Sequence, residues 1–272
     1  MNVSKLKGTG VALVTPFHKD GSIDFKSFRK LIDRVIDGGV EYLVPLGTTG
    51  ESVTLTKDEK RAVLDMVVEV NEDRVPIVLG LGGNNTQEIL HTMEDTDFTH
   101  IDAILSVSPY YNRPSQRDVP ARTGSNMDAE TTLELAHDIK NIIGIKEASG
   151  NIEKAMKIIK NRPKDFLVIS GDDTIALPII ACGGDGVISV YANAVPKDFS
   201  EMIRFSLEGN FDKARKLQYK HIDMMHAIFV DGNPAGVKGL LSVMNICSEF
   251  LRLPLVHVTK PTLNKFEAML AG

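Results

Sequence analysis

Short apolar runs alternate along this chain with amphipathic segments, and that rhythm limits the folds open to it. The runs fall at 11–16, 42–47, 76–81, 103–107, 142–147, 166–170 and 186–190. They are rich in β-branched residues and apolar on both faces, as strands of a parallel sheet covered on both sides should be. Between them, "DFKSFRKLIDRVIDGG" places Phe28, Leu31, Ile32 and Val35 on one helical face and stops at a glycine pair. "TKDEKRAVLDMVVEV" opens on Thr56 with Glu59 three residues on, the signature of a capping box. "NTQEILHTME", "DAETTLELAHDIKN", "NIEKAMKIIKN" and "TIALPIIACGG" predict further helices. Beyond residue 196 the pattern is helical throughout, over 197–208, 211–228, 234–246 and 262–270.

Strand followed by helix, repeated in an α/β chain with no dividing linker, means a doubly wound sheet or a (β/α)8 TIM barrel. No glycine-rich nucleotide loop follows the first strand, which weakens the sheet reading. The polar residues sit instead at the ends of the runs: Thr48 and Thr49, Ser108, Lys146 with Glu147, and Gly171 to Asp173. Reactive groups gathered at C-terminal strand ends are typical of the barrel. The expected organisation is a barrel over 1–196 with C-terminal helices packed on it over 197–272. Seven strands are counted, one short of a closed eightfold barrel.

With 272 residues the chain can bury a sizeable core without disulfides or metals. A net charge of −5 argues against nucleic acid as a partner. Cys182 and Cys247 both stand among apolar residues and read as buried thiols, which suits a reducing compartment. The opening "MNVSKLKGTG" lacks the apolar core of a signal peptide, and no run is long enough to span a membrane. A cytoplasmic protein is expected. The seven histidines are scattered without metal-binding spacing, so neither a catalytic metal nor a cofactor is expected.

Lys146 is the sharpest chemical signal. It closes "IIGIK", with no other charge in the run. A lysine there would point into a barrel mouth, where desolvation disfavours the ammonium and frees a nucleophilic amine for Schiff-base chemistry. The plainer readings are a lysine that reaches the rim or one paired with Glu147. In "GTTGES" (47–52), Thr48, Thr49 and successive amides could hold a carboxylate, or the turn could simply cap the next helix. Tyr110 and Tyr111 could relay protons or only pack. Arg122 is a forked cation suited to a substrate carboxylate, or an ordinary surface ion pair. The carboxylates in "GDD" (171–173) fit a turn into a helix N-terminus better than a metal site.

Together "GVALVTPF", "GTTGES", "SPYYNRPSQ", "VPARTGSNM", "NIIGIKEASGN", "SGDD" and "GGDGVISV" resemble the dihydrodipicolinate synthase family, within the N-acetylneuraminate lyase superfamily of class I aldolases. The resemblance runs in order from residue 9 to about 195 and continues through the helical tail. It implies a (β/α)8 barrel with a C-terminal helical region, and a homotetramer built as a dimer of dimers. It implies a lyase in diaminopimelate and lysine biosynthesis that condenses pyruvate with aspartate semialdehyde. Lys146 would form the Schiff base. Thr48 and Thr49 would hold the pyruvate carboxylate, and Tyr111 would relay protons across the tight dimer. Gly171 and Ile188 would line the pyruvate pocket through their backbones, and Arg122 would take the semialdehyde's carboxylate.

In the family, a helix and a strand separate "YYNRPSQ" from "VPxRTG". Here only Arg117 and Asp118 stand between Gln116 and Val119. The fourth helix and fifth strand are therefore missing, roughly twenty residues at ordinary element sizes, and with them a second relay tyrosine. Either the polypeptide lacks the segment, leaving strands four and five to pair or stay open-edged, or the written sequence has closed over it. The intact motifs on both sides favour the latter. The alternatives in function are another pyruvate-dependent aldolase of the superfamily, or a catalytically impaired pyruvate-binding relic. Lysine-inhibited members use a cavity whose residues correspond to Ser52, Asn84, Glu88 and Tyr110. Lys57 and Lys60 stand where strongly inhibited members often carry histidine, so weak or absent inhibition is expected.

Overall fold

The computed structural model describes residues 3–108, 110 and 127–271. Among them lie seven strands: β1 (Gly8–Ala12), β2 (Tyr42–Val44), β3 (Val78–Gly80), β4 (Ala103–Leu105), β5 (Gly144–Glu147), β6 (Leu167–Ser170) and β7 (Gly186–Ser189). All ladders are parallel. One sheet has the order β2-β1-β7-β6-β5, the other pairs β3 with β4, and a bridge from Leu43 to Ile77 links them. The strands therefore follow one another from β5 through β6, β7, β1, β2 and β3 to β4, as in a parallel barrel. Between β4 and β5 the described residues form no ladder, and Ile104 on β4 is 37% exposed. The junction from Gln116 to Val119 lies outside the described residues.

Register decides what faces inward. Leu6, Ala12, Tyr42, Val44, Val78, Leu167, Ile169 and Ile188 form one apolar cluster inside the barrel. The alternate residues, Val11, Leu43, Leu79 and Val187 among them, pack outward into the layer beneath the helices. Such two-sided burial makes strands of a parallel sheet apolar throughout. Each fully buried aliphatic side chain contributes about 1.5–3 kcal/mol.

Ten helices are described: α1 (Phe25–Asp37), α2 (Lys57–Asn71), α3 (Thr86–Glu94), α4 (Ala129–Asp138), α5 (Ile152–Asn161), α6 (Ala176–Ala181), α7 (Pro196–Leu207), α8 (Phe211–Ala227), α9 (Ala235–Val243) and α10 (Lys260–Ala271). α1 buries Phe28, Leu31, Ile32 and Val35 and ends at Gly38, as its periodicity predicts. The capping box forms: Glu59 N–H donates to Thr56 Oγ1 at 3.2 Å, and Thr56 N–H to Glu59 Oε2 at 2.9 Å.

Two expectations need correction. The first strand is 8–12, not 11–16. Gly10 looks like part of a loop, yet it is a strand residue that leaves room for a ring: a Cβ there would lie 2.1 Å from Tyr42. After Ala12 the chain leaves the ladder, and Val14 N–H donates to the Asn193 side chain. Cys182 is exposed, whereas Cys247 is buried. α6 is only six residues long, and Cys182 falls at its C-cap while Ile179 and Ile180 take the buried positions.

Candidate active site

On β5 the ladder pairs Gly144 with Leu167 and Lys146 with Ile169. Partners in register share a face. Leu167 and Ile169 belong to the interior cluster, so Lys146 points into the barrel. It lines an interior cavity with Tyr42, Val78, Leu105, Ile169 and Ile188. Glu147 points the other way. Its carboxylate is buried, takes Ser149 N–H at 2.7 Å and pairs with Lys154 on α5 at 2.8 Å. Lys154 is thus a partner of Glu147 from another element, reached from the face of β5 opposite Lys146.

Gly171 ends the β5–β6 ladder, its N–H donating to Glu147 O at 2.7 Å. A Cβ at Gly171 would lie 2.6 Å from Ala148 Cβ and 3.1 Å from Lys146 Cε. The lysine stem therefore passes against the Gly171 backbone. Ile188 faces inward on β7, opposite Gly10 of β1.

Thr48 and Thr49 occupy a 3-10 turn at the C-terminal end of β2. Thr48 is exposed and Thr49 buried. Thr49 Oγ1 accepts a hydrogen bond from Asn233 Nδ2 at 3.0 Å. Thr15 Oγ1 donates to Gly50 O at 2.7 Å. Glu51 closes the turn with φ 54° and ψ 34°, and its buried side chain meets Lys238 Nζ at 2.5 Å. Burial pulls the Lys238 ammonium below the ordinary lysine range, against the attraction of Glu51. Asn233 and Lys238 belong to no motif legible in the sequence. The lone charge in the apolar helix "AGVKGLL" was the available signal.

Asp173 differs from the simple turn expected of "GDD". It is buried, and its Oδ2 accepts N–H groups of Val190 at 3.2 Å and Tyr191 at 3.0 Å, tying the β6 end to the turn after β7. Burial pushes its carboxyl above the ordinary range, while bonds from Ser189 and these amides oppose the shift. Among the described residues no three His, Cys, Asp or Glu side chains converge as a metal ion would need. No described helix is long and apolar enough to cross a membrane. Tyr111 and Arg122 lie outside the described residues.

A parallel barrel with an inward lysine near the C-terminal end of β5 and a Gly-Thr-Thr-Gly turn after the C-terminal end of β2 defines a class: (β/α)-barrel enzymes that work through a lysine Schiff base. The sequence profile of the Dihydrodipicolinate synthetase family matches residues 5–119 and 118–272. A 4-hydroxy-tetrahydrodipicolinate synthase of Flavobacterium psychrophilum is 49% identical, over 96% of this chain and 96% of its own. The structure resembles the chloride-inhibited dihydrodipicolinate synthase of Acinetobacter baumannii solved with pyruvate, with TM-score 0.93 and 33% identity over 97% of this chain and 98% of that one. It is equally similar to a monomeric dihydrodipicolinate synthase variant, with TM-score 0.93 and 33% identity over 100% and 98% of the two chains. The chain belongs to the dihydrodipicolinate synthetase family, and it is a lyase of the Schiff-base aldolase type.

The same comparison measures the shortfall. The alignment with the Flavobacterium protein spans 280 positions, and 96% of 272 residues is about 261, so about 19 positions (280 less 261) have no residue here. The two family-profile matches meet at residues 118 and 119.

Proposed function

We propose that this enzyme condenses pyruvate with aspartate semialdehyde, as a 4-hydroxy-tetrahydrodipicolinate synthase on the route to diaminopimelate and lysine, with Lys146 as the nucleophile. The supporting observation is the inward register of Lys146, in an apolar interior and against the Gly171 backbone. The Lys146 amine adds to the keto carbon of pyruvate, and loss of water leaves a protonated imine. The imine accepts electrons, so the methyl carbon gives up a proton and becomes an enamine. That carbon attacks the aldehyde and forms the new C–C bond. The amine of the semialdehyde then adds to the imine carbon, and Lys146 departs as the ring closes.

Thr48 and Thr49 hold the pyruvate carboxylate through hydroxyls and the turn's amides. Gly171 and Ile188 line the pocket. Tyr111 relays protons and Arg122 receives the semialdehyde's carboxylate, as the family resemblance implies. A homotetramer is the assembly read from the same resemblance. The test is borohydride trapping. Reduction in the presence of pyruvate should leave a stable secondary amine on the peptide carrying Lys146, and Lys146→Ala should carry none. Absence of an adduct from the intact protein would sink the reading.

The shortfall at residues 118–119 favours a second reading, a pyruvate-binding protein with a broken proton relay. It predicts the adduct without turnover of the semialdehyde. A sugar-acid lyase would instead cleave a keto-deoxy sugar acid and ignore the semialdehyde.

A further inference from the structure

We infer that Lys238, on α9 of the C-terminal helices, is a positioning residue for the carboxylate-holding turn at 48–51 and acts through Glu51. The inference rests on the pyruvate reading of the site and adds a residue to it.

The first seven residues of α9, Ala235 to Leu241, are all buried, and Lys238 is the single charge among them. It is 0% exposed. An ammonium in such a place needs compensation. Its Nζ lies 2.5 Å from Glu51 Oε1 and 2.9 Å from Phe250 O, and stands 4.2 Å from the centroid of the Phe17 ring. The other Glu51 oxygen accepts Arg252 N–H at 3.1 Å. A residue 187 positions away thus holds the side chain that closes the turn.

The backbone of Glu51 shows why the grip matters. Its φ of 54° lies in the left-handed region, which costs a residue with a Cβ about 1–2 kcal/mol. Glu51 N–H donates to Thr48 O at 3.1 Å, and Thr54 Oγ1 donates to Glu51 O at 3.0 Å. The unfavourable conformation therefore joins two consecutive 3-10 turns, and the first contains both threonines. The same C-terminal segment grips the turn a second time through Asn233 and Thr49 Oγ1. A buried ion pair is often no better for stability than an apolar pair of equal volume. What it supplies here is direction: it holds the Glu51 side chain, and hence the residue that sets where the Thr48 and Thr49 hydroxyls and amides point. A misplacement of about 1 Å in such a turn can cost about 100-fold in rate.

The experiment compares the intact enzyme with Lys238→Met, Glu51→Gln and the double variant Glu51→Gln/Lys238→Met. Lys238→Met alone leaves a buried carboxylate, so a failure to fold is addressed by the double variant, whose buried pair carries no charge. Glu51→Gln keeps the size and one acceptor. In the double variant the KM for pyruvate should rise by at least about tenfold, with kcat falling less than kcat/KM and the semialdehyde KM within about twofold. Glu51→Gln should show the same pattern, smaller. A purely structural pair would lower the melting temperature and leave the pyruvate KM of the folded enzyme unchanged; that result overturns the inference. Borohydride titration with pyruvate separates the two levels of failure. An intact enzyme that forms no adduct brings down the pyruvate reading and this role with it. An intact enzyme and variants half-trapped at the same pyruvate concentration overturn the role alone.

Discussion

A single methyl at Gly171 tests how closely the reactive lysine is seated. In Gly171→Ala the new carbon would sit 2.6 Å from Ala148 Cβ, which must shift, and 3.1 Å from Lys146 Cε, which must give by a few tenths of an ångström. Overpacking of this kind costs about 1–3 kcal/mol of stability, while displacing the amine should lower kcat/KM by about 100-fold. Steady-state kinetics beside a melting curve would separate the two effects, and an unchanged kcat/KM would contradict the seating described. A second prediction concerns inhibition. Lys57 Nζ lies 2.9 Å from Glu88 Oε1, and Asn84 Oδ1 accepts Tyr110 N–H at 3.0 Å. The Lys57 contact holds the Glu88 carboxylate below its ordinary range, so the one carboxylate among the four residues matched to that cavity already has an ammonium partner. Free lysine should inhibit weakly, and Lys57→Ala should increase sensitivity in a dose–response assay; submillimolar inhibition of the unmodified enzyme would refute this. Lys146 was legible in the sequence because it is the first charge after the apolar stretch "IIGI". The contact of Glu147 with Lys154 was not, because Lys146 and Lys154 are both close in sequence and only the strand's alternation sends Glu147 outward to α5.

At the scale of elements, the C-terminal helices and the segments joining them are tied to the barrel by polar contacts at fixed points. Tyr191, after β7, meets His221 of α8 at 2.9 Å, and His221 meets Asp198 of α7 at 3.0 Å. Arg252 reaches Glu59 at the start of α2, donating to its two oxygens at 2.5 and 2.8 Å, and also binds Gly21 O and Thr54 O. The Arg252 guanidinium holds the Glu59 carboxyl down at about 2. The sign follows from linkage: a carboxyl depressed in the folded state contributes stability that is present above its unfolded value of 4.5 and is lost as pH falls toward 2. Arg252→Ala should remove that contribution, so the melting temperatures of the two proteins should converge as pH falls from about 4.5 to 2. At neutral pH the variant should lose about 2–3 kcal/mol, as expected when a group is stripped of hydrogen bonds to a charged partner. Helix boundaries were legible because capping and amphipathicity are local. The start of the first strand is not legible locally, because Gly8 to Gly10 become strand through partners far along the chain: Gly186 to Ile188 on β7 and, for Gly10, Tyr42 on β2.

At the scale of the whole molecule, the order of strands leaves β4 and β5 without a ladder between them among the described residues. β4 is half-buried with Ile104 exposed, whereas β1 and β7 are buried throughout. Amides of 103–105 should therefore exchange with solvent faster than those of 9–12 and 187–189, read by hydrogen exchange with peptide resolution; equal protection would argue for a closed seam. The intact mass, set against 29.8 kDa, decides whether the break at 118–119 belongs to the polypeptide. By itself the sequence determined the alternation of strand and helix, the caps, the reactive lysine and the family likeness. These depend on local periodicity, on the chemistry of adjacent residues and on motifs short enough to read in place. Only the tertiary structure decided which face Lys146 shares, that Cys182 is exposed, and that Glu51 is answered by Lys238. Those outcomes depend on strand register and on contacts between residues far apart in the chain, and neither leaves a periodic mark along it.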